Sequence, residues 1–292
     1  MPVLSLEDHV DGPPRLVAGV LRETGPAATA LARAGARLEV PARLLVAGDE
    51  VRVAAAGGLL GVRTRIIRAG TDGLCSERAA GPLRTLSHAT RVTLEGAGSR
   101  VRDELAWTAP LGAPGRISDP VLRRRGRRLL EARRDVLAER VAELRQAPVV
   151  VGAAIVRDGR LLVAQRSYPA ELAGRWELPG GGVEPGETEA AALVRECVEE
   201  LGARIVVEPR PGADPRIGTD TRNGTDTRIG TDLPIGRRVL RIHTARLVPG
   251  SPEPQAREHR SLRWVGAHEV AGLGWLDADR AVVAELRALL RP

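Results

Sequence analysis

Apolar positions in the first half of the 292-residue chain alternate in short runs. The alternation predicts strands at residues 37–40, 43–46, 50–54, 62–68, 74–79, 85–94 and 101–108. Turn residues separate them, among them Gly48-Asp49, Gly70-Thr71-Asp72-Gly73 and Gly96-Ala97-Gly98. A helix is expected ahead of these strands over residues 15–33, interrupted at Gly25-Pro26. After the strands the period changes. Leu122, Leu129 and Val136, and likewise Leu130, Leu137 and Leu144, recur every seven residues, which makes one apolar face of a helix from about Ser118 to Arg145. Ser118 or Asp119 caps it, and Pro120 suits its first turn.

The pattern restarts at Gln146-Ala147-Pro148, which places a domain boundary there: 1–146 and 147–292. Residues 150–156 and 160–164 read as two strands around an Asp158-Gly159 hairpin turn. Further strands are expected at 203–207 and 237–247. Between those two lies a low-complexity tract, residues 216–233, with three copies of a six-residue unit: Arg216–Thr221, Arg222–Thr227 and Arg228–Leu233. Its Arg, Gly, Thr and Asp are soluble and bury little, so the tract is expected to be a hairpin-tip insertion that folding does not need.

One helix in the second half carries candidate chemistry. Thr188 can cap it, and Gly202 can end it in the left-handed conformation. Val194, Cys197, Val198 and Leu201 recur at i, i+3, i+4 and i+7, an expected apolar stripe. Glu196, Glu199 and Glu200 are expected on the opposite face, where three crowded carboxylates repel one another unless a cation sits among them. The preceding Leu178-Pro179-Gly180-Gly181-Gly182 cannot be helix, and its glycines allow close backbone approach to a ligand.

Gly181, Glu187, Arg195, Glu196, Glu199, Glu200 and Gly202 form one spaced pattern. It runs glycine, five residues, glutamate, seven residues, then Arg-Glu-Cys-Val-Glu-Glu-Leu-Gly-Ala. If each fixed type occurs about one time in ten, a chance match is about 1 in 10^7 per window. The pattern resembles the Nudix box. The likeness extends through Gln165-Arg166, Gly174–Gly181, Glu258–Val265 and Leu276–Val283 to the MutT-like branch, the 8-oxo-dGTP diphosphatases and CTP pyrophosphohydrolases. It implies an α/β/α sandwich and metal-dependent hydrolysis of a nucleoside triphosphate. By that resemblance Mg2+, or Mn2+ in its place, is held by Glu196, Glu199, Glu200, Glu258 and the Gly180 carbonyl. Glu187 and Arg195 orient the carboxylates, Glu196 is the base, and Arg166, Gly181 and Asp279 touch the nucleotide. The chain has no phenylalanine, so a base-stacking aromatic common in that branch is absent or replaced. A Nudix hydrolase of dinucleotides or nucleotide sugars is the alternative enzyme. A ligand sensor whose second half only recognises nucleotide is the alternative of another class.

The first half, a short helix, a meander and a long helix, resembles the START-like (polyketide cyclase-like, SRPBCC) helix-grip fold. The Arg102–Gly112 segment is its most similar part. That resemblance implies an apolar cavity and a small apolar ligand. His88 stands alone in a strand, and no catalytic constellation is visible. Together the halves give an α+β, two-domain chain.

Composition narrows this picture. All 44 basic residues are arginine and the net charge is +7. The arginines at 123–125, 127, 128, 133 and 134 crowd the long helix but are interspersed with acids, so a solvated face is expected rather than a nucleic-acid site. The charge still draws anionic nucleotides. No run of 18 apolar residues exists, so no span is expected. Met1–Pro14 is acidic and lacks the regions of a signal peptide. Two cysteines, Cys75 and Cys197, favour a reduced, cytoplasmic protein.

Overall fold

The computed structural model describes residues 1–40, 42–55, 61–109, 119–208 and 226–291. The chain divides into two compact units, Met1–Gln146 and Ala147–Pro292. Among the described residues no helix is long and apolar enough to cross a membrane.

The first unit opens on a strand absent from the expectations above, β1 (Val3–Val10). Its acidic residues hid an inward-facing Leu4 and Val10, both buried. Two helices follow, α1 (Pro14–Val20) and α2 (Thr24–Arg33). The break between them falls at residues 21–23, not at Gly25-Pro26. Those two residues lie in the first turn of α2, where proline is tolerated because the first amides have no helical acceptor. The buried Arg22 secures the break, its Nε donating to the Leu45 carbonyl at 3.0 Å.

Next come β2 (Ala36–Glu39), β3 (Glu50–Ala55), β4 (Gly61–Gly70), β5 (Gly73–Ala80), β6 (Thr85–Glu95), β7 (Gly98–Thr108) and the long α3 (Asp119–Leu144). The seven strands form one antiparallel sheet, ordered β1-β7-β6-β5-β4-β3-β2. The strand expected at 43–46 is instead a loop with a single bridge at Leu44. Adjacent Leu44 and Leu45 are both buried, without the alternating exposure on which the strand expectation rested. Helix α3 buries Leu130, Val136, Leu137, Val141 and Leu144, while Arg123–Arg125, Arg127 and Arg128 are exposed. The Ser118 cap and residues 110–112 lie outside the described residues.

The second unit contains β8 (Val149–Arg157), β9 (Arg160–Gln165), β10 (Trp176–Glu177), α4 (Glu189–Leu201), β11 (Ile205–Val207), β12 (Arg228–Ile235), β13 (Arg238–Leu247), β14 (Ser261–Val265), α5 (Ala267–Val270), α6 (Asp277–Arg280) and α7 (Val283–Leu289). Asp158 and Gly159 turn the β8–β9 hairpin with φ of 51° and 68°, the positive angles that a two-residue hairpin requires. The sheet is mixed, because β8 and β13 are parallel and the other pairs antiparallel. Helix α4 covers it through a core of Val151, Ala153, Ile155, Leu193, Cys197 and Leu201. Both cysteines are free.

The repeat tract needs correction. Its third copy, Arg228–Leu233, is not an insertion at a hairpin tip. It forms most of β12 and is buried throughout, with Ile229 1% and Leu233 0% exposed. The tip is Gly236-Arg237, between the Ile235↔Arg238 pair. Copy one and most of copy two lie outside the described residues, but the strand ends show where the chain departs. Val207 pairs with Ala245 and Arg228 with His243. Between them, Thr244 accepts from the Glu208 amide at 3.0 Å and donates to the Thr227 carbonyl at 2.9 Å. Strands β11 and β12 are therefore one ladder along β13, left after Glu208 and rejoined at Thr227. The sequence misled because the same six residue types suit soluble and buried settings. The buried Arg228 and Asp232 are paired with each other, and Asp232 also with Arg241 at 3.1 Å.

This register makes a prediction. Joining Glu208 directly to Arg228, without residues 209–227, keeps the ladder in phase and holds the melting temperature within about 5 °C of the full chain. Removing residues 216–233 deletes a buried strand and abolishes a cooperative melt. Circular dichroism melts on both deletions decide between them.

Candidate active site

Helix α4 begins where the Thr188 hydroxyl accepts from the Ala191 amide at 3.1 Å and ends at Gly202, whose φ is 64°. Its buried face is Ala192, Leu193, Cys197 and Leu201. The expected stripe is corrected on one side, since Val194 and Val198 are 37% and 40% exposed. Leucine at 193, a position left out of the stripe, carries more apolar area than either valine and turns the helix toward itself. That rotation brings Glu196 and Glu200 to the shoulder of the buried face, with side chains 16% and 13% exposed. Glu199 stays outside at 52%. The three glutamates are thus not all on the face opposite the core.

The glycine turn meets them there. Gly180 has φ of 147°, and a Cβ on it would stand 2.0 Å from the Val151 carbonyl oxygen. A Cβ on Gly181 would stand 2.2 Å from Glu196 Oε1. Only glycine fits at 180, where the clash is with backbone, whereas a Cβ at 181 would displace the Glu196 carboxylate. The turn lies along β8, with the Val151 amide donating to the Gly181 carbonyl and the Ala153 amide to the Pro179 carbonyl, each at 2.8 Å. The Gly180 amide donates to Glu200 Oε2 at 3.0 Å.

Arg195 ties this together. It donates to both oxygens of Glu187 at 3.1 and 3.0 Å, to Glu196 at 2.9 Å, to Glu199 at 3.2 Å and to the Gly182 carbonyl at 2.9 Å. The hydrogen bond from Arg195 holds the Glu187 carboxyl below its ordinary range. One guanidinium serves three carboxylates and leaves Glu200 with an amide. Burial, reinforced by Glu196 and Glu177, pushes the Glu200 carboxyl up to about 7.

A second group adjoins, and two of its members were not foreseen. Glu177, 9% exposed at the end of β10, accepts from Arg166 Nη1. His259 Nε2 lies 3.5 Å from Glu177 and 3.9 Å from Glu200. Burial would lower the His259 pKa, but Glu177 and Glu200 outweigh it and raise it. Asp279 is buried within α6 and is not its N-cap. Its Oδ1 accepts from the Leu178 amide at 3.1 Å, and burial pushes its carboxyl up to about 7. Glu258 stands apart. It is exposed, its carbonyl accepts from Ser167 at 2.6 Å, and its carboxylate makes no ion pair among the described residues. Its neighbour His259 reaches the cluster instead. Glu177 lies within the Gly174–Gly181 likeness and His259 next to Glu258, but no spacing rule singles them out. Trp176 is buried in the core, and Trp264 carries Arg157 4.2 Å above its ring.

Among the described residues no three acidic, His or Cys side chains already stand at metal-ligand spacing. The donor set nonetheless suits a hard divalent cation. Carboxylate oxygens converge on a turn that has no room for a Cβ at Gly180, and one of them, on Glu200, has no cation nearer than His259 at 3.9 Å.

Comparison with known proteins places the second unit in a family. The NUDIX domain model matches residues 146–286. The chain is 46% identical over 145 residues to "Putative 8-oxo-dGTP diphosphatase 2" of Mycobacterium tuberculosis, spanning 49% of this chain and 89% of the relative. It is 32% identical over 140 residues to the CTP pyrophosphohydrolase of Escherichia coli, spanning 48% and 91%. The solution structure of the E. coli ORF135 protein aligns at 31% identity and a TM-score of 0.37, over 49% of this chain and 89% of that one. The matched family and these relatives make the class a nucleotide pyrophosphohydrolase. The chain belongs to the Nudix hydrolase family, through its second unit.

The Asp279 carboxyl gives a pH prediction. Its ordinary value is about 3.9, so between about 4 and 7 the folded state binds a proton that the unfolded chain releases. That contribution to stability is complete on the acid side and is lost as pH rises toward 7. Asp279→Asn still accepts from Leu178 but cannot ionise. Its melting temperature relative to wild type should therefore be higher at pH 8 than at pH 5. An equal difference at both pH values contradicts the buried, protonated carboxyl.

Proposed function

We propose that the second unit hydrolyses a nucleoside triphosphate to the monophosphate and pyrophosphate, in the manner of enzymes that cleanse the nucleotide pool. The observation that carries this is Glu196 and Glu200 set against the Gly180-Gly181 turn, with Arg195 as the cluster's cation. Glu196, Glu199 and Glu200 would hold Mg2+, or Mn2+. Glu258, exposed and without an ion pair, is available to complete the set with the Gly180 carbonyl. The ion, when bound, neutralises phosphate oxygens and lowers the pKa of a water. Arg195 and Glu187 keep the carboxylates oriented, as groups behind metal ligands do. Glu196 takes the proton of the attacking water. Arg166, held by Glu177, and Asp279, presented by α6, face the nucleotide. As a neutral acid near pH 7, Asp279 can donate a hydrogen bond to a base, which a carboxylate cannot. The free, buried Cys197 and the unpaired Cys75 suit a reducing, cytoplasmic setting.

The first unit reads as a START-like, helix-grip domain that binds a small apolar ligand. This is supported by its order of one strand, two helices, six strands and a long helix.

Glu199→Gln and Glu200→Gln should each lower turnover by about 100-fold or more while leaving the melt intact. Near wild-type rates in both would remove the proposed metal site. With dGTP, 8-oxo-dGTP or CTP in 18O-water, pyrophosphate should be released and the label located to distinguish attack at the α from attack at the β phosphorus. Release of inorganic phosphate, or preferred cleavage of ADP-ribose or a diadenosine polyphosphate, favours the dinucleotide alternative.

A further inference from the structure

The first unit contains a cavity of about 520 Å3 bounded by its sheet, α2 and α3. This is within the range of small-molecule sites. Leu31, Leu45, Val53, Ile66, Leu105 and Trp107 contribute to an apolar wall. The charged side chains that line it are Arg125, Arg128 and Arg133, with His88 as the titratable neighbour, and no described lining residue is acidic.

The polar corner of this cavity is a built arrangement. Asp103, 4% exposed, sits behind the wall. Its Oδ1 accepts from the fully buried Thr90 hydroxyl at 2.5 Å and lies 2.9 Å from His88 Nε2 and 3.7 Å from Arg133 Nε. Burial would raise its carboxyl, but His88 and Arg133 outweigh burial and hold it below its ordinary range. Asp103 thus positions His88 and Arg133 without entering the cavity. His88 is not the isolated strand histidine that the sequence suggested. Arg133 is poorly matched. A guanidinium has five N–H donors, yet the contacts of this one are a long hydrogen bond to Thr90 at 3.4 Å and the 3.7 Å ion pair. Its buried Nε has no hydrogen-bond acceptor. A buried donor left unmade is unfavourable, and an oxygen from the cavity side would complete it. Gly126, mid-helix where glycine is disfavoured, keeps the space open, since a Cβ there would stand 3.0 Å from Leu105 Cδ2.

We propose that the first unit binds an apolar acid, its hydrocarbon body in the cavity and its carboxylate paired with Arg133 beside His88. Exposed Arg125 and Arg128 on the same helix favour the approach of an anion. The proposal rests on the ligand-binding reading of this unit and adds the charge of the head group. It is independent of the Nudix chemistry.

The test uses the full chain and the uncharged fluorescent reporter N-phenylnaphthylamine at pH 8, displaced by dodecanoate or by dodecanol. Dodecanoate should displace it at about 10-fold lower concentration than the alcohol, the worth of a charge-assisted hydrogen bond. Arg133→Met should erase that preference, Arg133→Lys should keep part of it, and Gly126→Leu should weaken both competitors. Circular dichroism checks the fold of each variant. Equal potency of acid and alcohol on wild type, or a preference that survives in a folded Arg133→Met, overturns the acid assignment and leaves ligand binding standing. Failure of the reporter and both competitors to bind wild type removes both.

Discussion

The second unit depends on how one guanidinium is shared. Arg195 satisfies Glu187, Glu196 and Glu199 together. Because α4 buries Leu193, Cys197 and Leu201, it draws Glu196 and Glu200 to the shoulder of its buried face while Glu199 stays outside. The same burial leaves Glu200 with the Gly180 amide and no cation in hydrogen-bond range. The helix is held from its other end as well. Glu189, in its first turn where an anion suits the helix dipole, meets His243 at 2.9 Å and also Arg241. Burial would raise its carboxyl, but those two partners hold it at about 2. Glu189 and Arg241 thus anchor α4 to β13 as an ion pair, while Glu200 at the site has no cation in hydrogen-bond range. Stability and site chemistry are divided between the two ends of one helix.

Much of the local structure was legible in the chain. Thr188 and Gly202 mark the ends of α4, Asp158-Gly159 turns its hairpin, and the heptad spacing of Leu130, Leu137 and Leu144 places the core face of α3. Each rests on a local rule, a cap or a period. What escaped needed partners distant in sequence. Strand β1 is acidic and becomes a strand only beside β7. Copy three of the repeat buries Arg228 and Asp232, which pair with each other and, for Asp232, with Arg241 of β13. The rotation of α4 toward Leu193 follows from the sheet it covers, and periodicity alone allowed the neighbouring choice of Val194 and Val198. Glu177 and His259 are joined to the carboxylates by the fold, so no spacing pointed to them.

The two units share a physical device with opposite signs. In the first, Asp103 and Thr90 hold a half-buried arginine whose buried Nε lacks an acceptor. In the second, the Gly180 amide holds the Glu200 carboxyl, whose nearest cation is His259 at 3.9 Å. A buried polar group incompletely matched by its own protein is costly, and it persists where a ligand supplies the missing partner. On the proposals above, one unit receives a negative group and the other a cation with its phosphates.

The most direct test is proton release on metal binding. With a carboxyl at about 7, Glu200 is near half-protonated at neutral pH, and a cation must displace that proton. Mg2+ titrations of the full chain by calorimetry, at pH 7 in buffers of different ionisation heat, should show a substantial fraction of a proton released per ion. That release should vanish by pH 9 and in Glu200→Gln. Metal binding without proton release at pH 7, or release that persists unchanged in Glu200→Gln, would contradict the account.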